Sequence, residues 1–277
     1  MRIDPEAARY DEHWRPVLGP ACARLLDLLA DRMPERGSHV PAPRILDLGA
    51  GTGGLVIPAA QRWPDARFVG LDVSPGMLSF ARRRAALARL DGHDRRLTWL
   101  EADAGSIPLD DGSVDIVMSS FALQMVRDRA TVLREVSRVV RASGILAFVT
   151  WLEPHETMAA DDEFDEAVAD LGIDEPEDGP DDRDVDLESP ESAVDELEAA
   201  GFVGIRAELG EVRHAWSRAA YLRFKEEYDE RDLFSHLDRP TRDRLIERVR
   251  ARWAPLSEDA FAFRHPTVTA MAMRPSA

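Results

Sequence analysis

Short apolar runs alternate with longer amphipathic stretches through the first 151 residues of the chain. The apolar runs have the length of strands and lie at 44–48, 67–71, 97–100, 114–118 and 145–151. Stretches with helical spacing of apolar residues lie at 19–33, 55–63, 75–90 and 129–140. Strands that alternate with helices are typical of a parallel sheet covered on both faces. The pattern therefore predicts a doubly wound, mostly parallel α/β fold.

The second half of the chain is less regular and supplies two more predicted strands. These strands, at 202–212 and 261–273, bring the predicted sheet to seven strands, and helical patterns lie at 191–200, 218–230 and 239–253. We predict an N-terminal helical cap at 1–40 and a single domain at 41–277. Within that domain we expect a lid insertion at about 153–190 and a helical insertion at about 214–258, because both exceed ordinary connections in length.

The segment 161–188 is strongly acidic, with fifteen acidic residues and one basic residue. Charge of this density opposes compaction unless basic groups offset it. Phe164, Ala167, Val168 and Leu171 nevertheless fall at helical spacing. Two interpretations stay open, a mobile lid that lays an amphipathic helix over a binding pocket and a solvated acidic loop.

A glycine-rich turn follows the first predicted strand. Gly49, Gly51 and Gly54 fit the spacing G-x-G-x-x-G, which removes side chains where backbone meets a ligand and permits positive φ in a tight turn. Asp72 follows the second strand, where a carboxylate can accept hydrogen bonds from both hydroxyls of a ribose. These features suit a nicotinamide or flavin dinucleotide as well as other nucleoside cofactors.

Asp47 distinguishes a dinucleotide from a cationic nucleoside cofactor. It lies in the first strand, two residues before Gly49. A carboxylate at this point would repel the pyrophosphate of a dinucleotide and attract a cationic ligand. S-adenosylmethionine carries an ammonium and a sulfonium and has no phosphate. Asp47 therefore favours S-adenosylmethionine over a dinucleotide.

Four segments resemble motifs of the class I S-adenosylmethionine-dependent methyltransferases. They are 45–54 (ILDLGAGTGG), 69–78 (VGLDVSPGML), 101–115 (EADAGSIPLDDGSVD) and 133–147 (LREVSRVVRASGILA). The resemblance covers about residues 44–151, in order and at the expected spacing. It implies the Rossmann-like fold of that family and the transfer of a methyl group to a small-molecule acceptor. An NAD(P)-dependent oxidoreductase and a non-catalytic S-adenosylmethionine-binding protein stay open as alternatives.

The resemblance also implies roles at the matching positions. Asp47 would hold the methionine ammonium, and Asp72 would accept from the ribose hydroxyls. Met77 would flank the adenine, Asp103 would accept from its amino group, and Ser119 would lie near the transferable methyl. The implied cofactor-binding residues are Asp47, Gly49, Ala50, Gly51, Asp72, Val73, Met77, Asp103, Ala104 and Ser119.

The acceptor side requires little covalent chemistry. Methyl transfer is an in-line displacement, so the protein chiefly aligns the acceptor and excludes water. We therefore expect neither a metal nor a Ser-His-Asp arrangement. Ligands of such sheets bind beyond the carboxyl ends of the strands, a rule that selects Gln124, Trp151, Glu153 and His155. Gln124 and His155 are the predicted catalytic residues; His155 is either a general base or a solvated loop histidine.

The surroundings of the acceptor site point to particular members of the family. Segment 119–125 (SSFALQM) resembles the members that methylate a malonyl thioester in biotin synthesis, with Met125 in place of their tryptophan. Ubiquinone and menaquinone C-methyltransferases are equally compatible with the core motifs. Tyr10, His13 and Trp14 form an N-terminal aromatic cluster that either closes over the cofactor or packs on the sheet edge.

The charge, the apolar runs and the cysteine content indicate which classes of partner and which cellular location to expect. The net charge of −17 argues against nucleic acid, which is bound through Lys and Arg. The longest apolar run, 144–152, is shorter than the roughly 20 residues that span a bilayer, and the start shows no signal-peptide pattern. Cys22 is the single cysteine and lies in an apolar helical pattern, which predicts a buried thiol. We expect a cytoplasmic protein without a membrane partner; the sequence predicts no oligomeric state.

Overall fold

The computed structural model describes residues 4–34, 41–90, 96–153, 157–174 and 187–276. Seven strands are present in this part of the chain: β1 Arg44–Leu48, β2 Arg67–Asp72, β3 Leu97–Glu101, β4 Val114–Ser120, β5 Val140–Trp151, β6 Val203–Ala215 and β7 Ala262–Met273. The α-helices are α1 Pro5–His13, α2 Arg15–Ala30, α3 Val56–Arg62, α4 Pro75–Leu87, α5 Arg129–Val139, α6 Ala159–Asp170, α7 Pro190–Ala199, α8 Arg218–Phe224, α9 Arg231–His236 and α10 Arg239–Trp253. No helix within the described ranges is both long enough and apolar enough to cross a bilayer.

The strands form one sheet in the order β3-β2-β1-β4-β5-β7-β6. β1 pairs in parallel with β2 and β4, and β5 pairs in parallel with β4. β7 lies beside β5 and runs antiparallel to it. The predicted doubly wound, mostly parallel, seven-stranded sheet is therefore confirmed.

The central strands are apolar because both of their faces are covered. Leu46 of β1, Val117 of β4 and Leu146 of β5 are fully buried. Val132 and Val136 lie one helical turn apart on α5 and belong to the same hydrophobic core. This periodicity holds α5 against the sheet. The parallel pairing of β1, β2, β4 and β5 brings the carboxyl ends of these strands to one edge.

β5 begins five residues before the predicted start. Val140 pairs with Val114, after which the register shifts and pairing resumes between Ile145 and Ile116. Ser143 takes a positive φ of 60° inside this irregularity. A bulge of this kind interrupts the apolar pattern but not the strand. The apolar pattern alone therefore predicts a start of β5 that is too late in the chain.

The described residues divide into two compact units. The first comprises the described parts of 1–154, 182–211 and 266–277, and the second those of 155–181 and 212–265. The second unit has an aromatic core of fully buried rings, Phe164, Tyr221, Trp253 and Phe261. Its two chain segments resemble the insertions predicted at about 153–190 and 214–258; their role as a lid stays a prediction.

The acidic segment contains a helix, α6, inside the second unit. Its apolar side chains, including Phe164, are buried. Its acidic face is paired with cations: Arg252 binds Asp170 at 2.7 Å, and Lys225 binds Asp161 at 2.7 Å. These ion pairs offset part of the charge that opposes compaction of this segment.

Candidate functional site

The carboxyl ends of the parallel strands meet at one edge of the sheet. Leu48, the last residue of β1, pairs with Leu71 of β2 and with Ser119 of β4. Asp72 at the end of β2 pairs with Glu101 of β3. Ligands of open α/β sheets bind at this edge, so the residues that follow these strands form the candidate site.

The glycine turn after β1 is held against β2 by its backbone. The N–H groups of Gly49 and Ala50 donate to the Leu71 carbonyl at 2.9 and 2.8 Å. Gly49 has a φ of 73°, and a Cβ there would overlap the Cβ of Ala122. Gly51 has a φ of 51°, and a Cβ there would meet only open space. Packing inside the protein thus requires Gly49, whereas Gly51 leaves room for a ligand beside the turn.

A cavity of about 430 Å³, open to solvent, adjoins this turn. The lining residues come from α1, α2, the turn and the end of β4; they are Tyr10, Arg15, Leu18, Gly19, Cys22, Gly49, Ala50, Gly51, Thr52, Gly54, Leu55 and Ser120. The predicted backbone contacts at Gly49, Ala50 and Gly51 therefore lie at the cavity wall.

Asp47 lies in β1, just before the turn, and is only 1% exposed. Neither of its carboxylate oxygens has a hydrogen-bond partner in the described part of the chain. Burial raises the pKa of Asp47 to about 8; the nearby Val56 N–H opposes this change by a smaller amount, and the Asp72 carboxylate adds to it. Because an isolated buried carboxylate is costly, Asp47 can accommodate a cationic ligand group.

Asp72 links the glycine turn to the start of α4. Its Oδ2 accepts from the Gly51 N–H at 2.7 Å, and its Oδ1 accepts from the Ser74 N–H at 2.9 Å. A carboxylate has about four acceptor sites. Asp72 can therefore still accept hydrogen bonds from a ligand while it holds the turn.

The residues predicted at the adenine lie just beyond β2 and β3. Val73 is 68% exposed, and Met77 is half-buried in the first turn of α4. Asp103 is exposed, and its Oδ1 accepts from the Gly105 N–H at 2.7 Å. Ala104, between them, is half-buried. Asp103 thus stabilises a turn through its Oδ1.

Two predicted residues, one in β4 and one in the turn that follows it, use their polar groups inside the protein. The Ser119 hydroxyl donates to the Leu48 carbonyl at 2.8 Å, and Ser119 is fully buried. The Gln124 amide donates to the Phe121 carbonyl at 2.8 Å and accepts from the Thr150 hydroxyl at 2.6 Å. Gln124 therefore ties the turn after β4 to β5.

Aromatic rings surround this turn. Phe121 has a φ of 51°, a left-handed conformation that costs a residue other than glycine roughly 1–2 kcal/mol. Its ring centroid lies 4.3 Å from that of Trp151, at the end of β5, and Trp151 lies 6.4 Å from Trp14. Backbone strain that packing maintains is concentrated at ligand sites, which agrees with the position of this turn beyond the strands.

Several residues of the cavity have no role predicted from the sequence. Arg15, Leu18 and Cys22 line it from α2. Burial raises the pKa of the Cys22 thiol to about 11, and the neighbouring Asp47 carboxylate adds to this change. Leu18 and Cys22 lie on the buried face of α2, so their pattern is that of ordinary core, and only the fold shows that this face meets the cavity.

The remaining predicted residues follow β5. Glu153 is half-buried, and its N–H donates to the Leu187 carbonyl at 2.9 Å. His155 lies outside the described residues. Its part as a general base stays a prediction.

Comparisons with known proteins agree with these features. Residues 46–148 match the family model described as a methyltransferase domain. A malonyl-[acyl-carrier protein] O-methyltransferase of Halorhodospira halophila is 37% identical over 151 residues, which are 54% of this chain and 46% of that protein. A demethylmenaquinone methyltransferase of Thermus thermophilus is 35% identical over 131 residues, 47% of this chain and 54% of that protein. The chain spans about half the length of these curated relatives.

Solved structures share the fold over more of the chain. The YcgJ protein of Bacillus subtilis has a TM-score of 0.60 at 18% identity and covers 92% of this chain and 100% of its own. A phosphoethanolamine N-methyltransferase 2 of Haemonchus contortus, in complex with S-adenosyl-L-methionine, has a TM-score of 0.57 at 19% identity. It covers 98% of this chain and 57% of its own. At these identities the similarity shows the fold.

Proposed function

We propose that this chain, whose residues 46–148 form a class I S-adenosylmethionine-dependent methyltransferase domain, moves a methyl group from that cofactor to a small-molecule acceptor. The observation that carries the proposal is the buried Asp47 carboxylate, without a hydrogen-bond partner in the described chain, just before a glycine turn. A dinucleotide would bring pyrophosphate to this turn, and the carboxylate would repel it. The ammonium and sulfonium of S-adenosylmethionine are positively charged and would be attracted to the Asp47 carboxylate. The oxidoreductase alternative therefore has no support.

The residues at this edge of the sheet fit S-adenosylmethionine. Asp47 would pair with the ammonium, and Asp72 would accept from the ribose hydroxyls with the lone pairs that its two N–H donors leave. Asp103 would accept from the adenine amino group, and Val73 and Met77 would offer apolar surface to the ring. The open space beside the glycine turn would admit the cofactor close to the backbone.

The chemistry then depends on alignment. When bound, S-adenosylmethionine supplies a methyl group on a sulfonium sulfur, and its transfer leaves a neutral thioether. Gln124 would keep Phe121 and Trp151 in place where the acceptor lies, since its amide bonds to both sides of that turn. His155 would take a proton from an acceptor that must lose one.

The partners and setting of the protein are part of the same proposal. The two relatives named above act, by name, on malonyl-[acyl-carrier protein] and demethylmenaquinone, and we propose a small-molecule acceptor for this chain. The net charge of −17 disfavours phosphate-rich partners such as nucleic acid. A free cysteine, Cys22, suits the reducing cytoplasm.

Thermal unfolding with candidate cofactors tests the proposal. S-adenosylhomocysteine at ~100 times its Kd should stabilise the folded chain by about 2.7 kcal/mol, and NAD and NADP should leave the Tm unchanged. A Tm increase with NAD or NADP and none with S-adenosylmethionine or S-adenosylhomocysteine would overturn it. A methyl-transfer assay with radiolabelled cofactor over a panel of acceptors then separates an enzyme from a non-catalytic binding protein.

A further inference from the structure

Arg15 stands at the wall of the cavity with part of its guanidinium unused. It is the first residue of α2, and its side chain is 51% exposed. Its Nε donates to Asp11 Oδ2 at 3.2 Å. Its Nη1 and Nη2 make no hydrogen bond or ion pair with the described residues. Because a guanidinium presents its donors as a rigid fork, its outer edge is available to a ligand.

Asp11 fixes Arg15 relative to the glycine turn. Asp11 is 8% exposed, and its Oδ1 accepts from Thr52 Oγ1 at 2.9 Å and from Arg84 Nη1 at 2.8 Å. The same Arg84 nitrogen donates to the Thr52 carbonyl at 2.9 Å. Asp11 pairs with both Arg84 and Arg15, so these three side chains together carry a net charge of +1.

Asp47, which a bound cationic group would hold in the ionised form, provides the opposite charge near the same cavity. Asp47 lies two residues before Gly49, whose backbone lines the cavity. Asp47 has no donor within the described chain, and the outer nitrogens of Arg15 have no acceptor there. An amino-acid head group carries an ammonium and a carboxylate, which are the complement of this pair.

We propose that Arg15 binds the carboxylate of the cofactor's amino-acid head group, and that Asp11 is the positioning residue that holds Arg15 there. The inference rests on the proposed function, because it takes the ligand to be S-adenosylmethionine or its product. Charge-assisted, bidentate hydrogen bonds between guanidinium and carboxylate are stronger than neutral ones. Among the residues that line the cavity, Arg15 alone carries a positive charge.

Calorimetric titration with two ligands tests this role. S-adenosylhomocysteine has the amino-acid head group, and 5′-methylthioadenosine has the same adenosine and thioether without it. Arg15→Ala should weaken binding of S-adenosylhomocysteine roughly 10- to 100-fold and leave 5′-methylthioadenosine unchanged. Arg15→Lys should weaken binding of S-adenosylhomocysteine less than Arg15→Ala, because lysine keeps the positive charge but lacks the planar, bidentate geometry of the guanidinium. Arg24→Ala is the matched control: Arg24 is on the same helix, and its Nη2 donates to the Glu211 carbonyl at 2.8 Å.

Equal Kd values of wild type and Arg15→Ala for S-adenosylhomocysteine would overturn the role of Arg15 and leave the proposed function standing. An equal loss for both ligands would assign Arg15 to the structure of the cavity and would also overturn it. If the wild-type chain binds neither ligand, the proposed function fails as well. Like Arg15→Ala, Asp11→Asn should weaken binding of S-adenosylhomocysteine more than binding of 5′-methylthioadenosine. If the ratio of the two Kd values in Asp11→Asn equals that of wild type, the positioning role of Asp11 is refuted.

Discussion

Replacement of Asp47 by asparagine should stabilise the ligand-free protein and weaken its cofactor binding. The substitution keeps the shape of the side chain and removes a charge that is buried without a hydrogen-bond partner in the described chain. Stability and ligand affinity should therefore change in opposite directions. Substitution of a residue that served only the fold would lower stability and ligand affinity together.

The magnitude follows from the pKa of Asp47, which burial raises from 3.8 to about 8. Between these values the unfolded chain has lost a proton that the folded chain retains, so the wild-type free energy of unfolding falls as pH rises, by about 1.4 kcal/mol per pH unit. The asparagine variant lacks this dependence. Its advantage over wild type should grow from pH 4 to pH 8, reach on the order of 5 kcal/mol, and stay constant at higher pH.

Urea unfolding of both proteins from pH 5 to pH 9 measures this difference. Asp115→Asn is the control: the Asp115 carboxylate accepts from the Arg44 N–H at 2.7 Å and from Arg141 Nε at 2.5 Å, so its loss should destabilise. Calorimetry should show that Asp47→Asn weakens S-adenosylhomocysteine binding by about 30-fold or more, since loss of one member of a buried charge pair costs about 2–5 kcal/mol. An Asp47→Asn variant less stable than wild type at pH 8 would refute the reasoning.

Four further predictions concern other residues. Asp72→Ala should weaken cofactor binding on the order of 100-fold and Asp103→Ala less, because Asp72 can bond to two ribose hydroxyls at roughly 1.5–3 kcal/mol each; wild-type Kd values in both folded variants would contradict these roles. Gly49→Ala should lower the Tm in thermal unfolding, because φ is 73° and the added methyl overlaps a neighbouring alanine; an unchanged Tm would show that the turn can shift. Lys225→Met should destabilise the protein by about 3–5 kcal/mol in urea unfolding, because Lys225 is 4% exposed and pairs with two carboxylates at 2.7 Å. An unchanged free energy of unfolding would mean that water hydrates those two carboxylates in the variant. Replacement of 174–186 by a Gly-Ser linker keeps α6 and should reduce turnover of an acceptor without changing cofactor affinity if the segment acts as a lid; full turnover would leave it a surface loop.

The local pattern of residues determined the strands and turns that carry the site. β1 begins and ends at the predicted residues, Arg44 and Leu48. α4 begins as predicted, with Ser74 as its N-cap and Pro75 as its first residue. Apolar runs, caps and prolines act through neighbours a few positions away. A single sequence therefore contains enough information for these elements, for the glycine turn between two of them, and for the methyltransferase resemblance.

Only the tertiary structure decided which polar groups remain for a ligand. Gln124 and Asp47 both lie near strand ends, yet Gln124 bonds to Thr150, 26 residues away, and Asp47 has no partner in the described chain. Asp11 reaches its hydrogen-bond partners across 41 and 73 residues. Such bonds form only when whole elements pack together, and no local spacing encodes them. For that reason Arg15, an ordinary residue of an N-terminal helix in the sequence, becomes a candidate cofactor residue only in the folded chain.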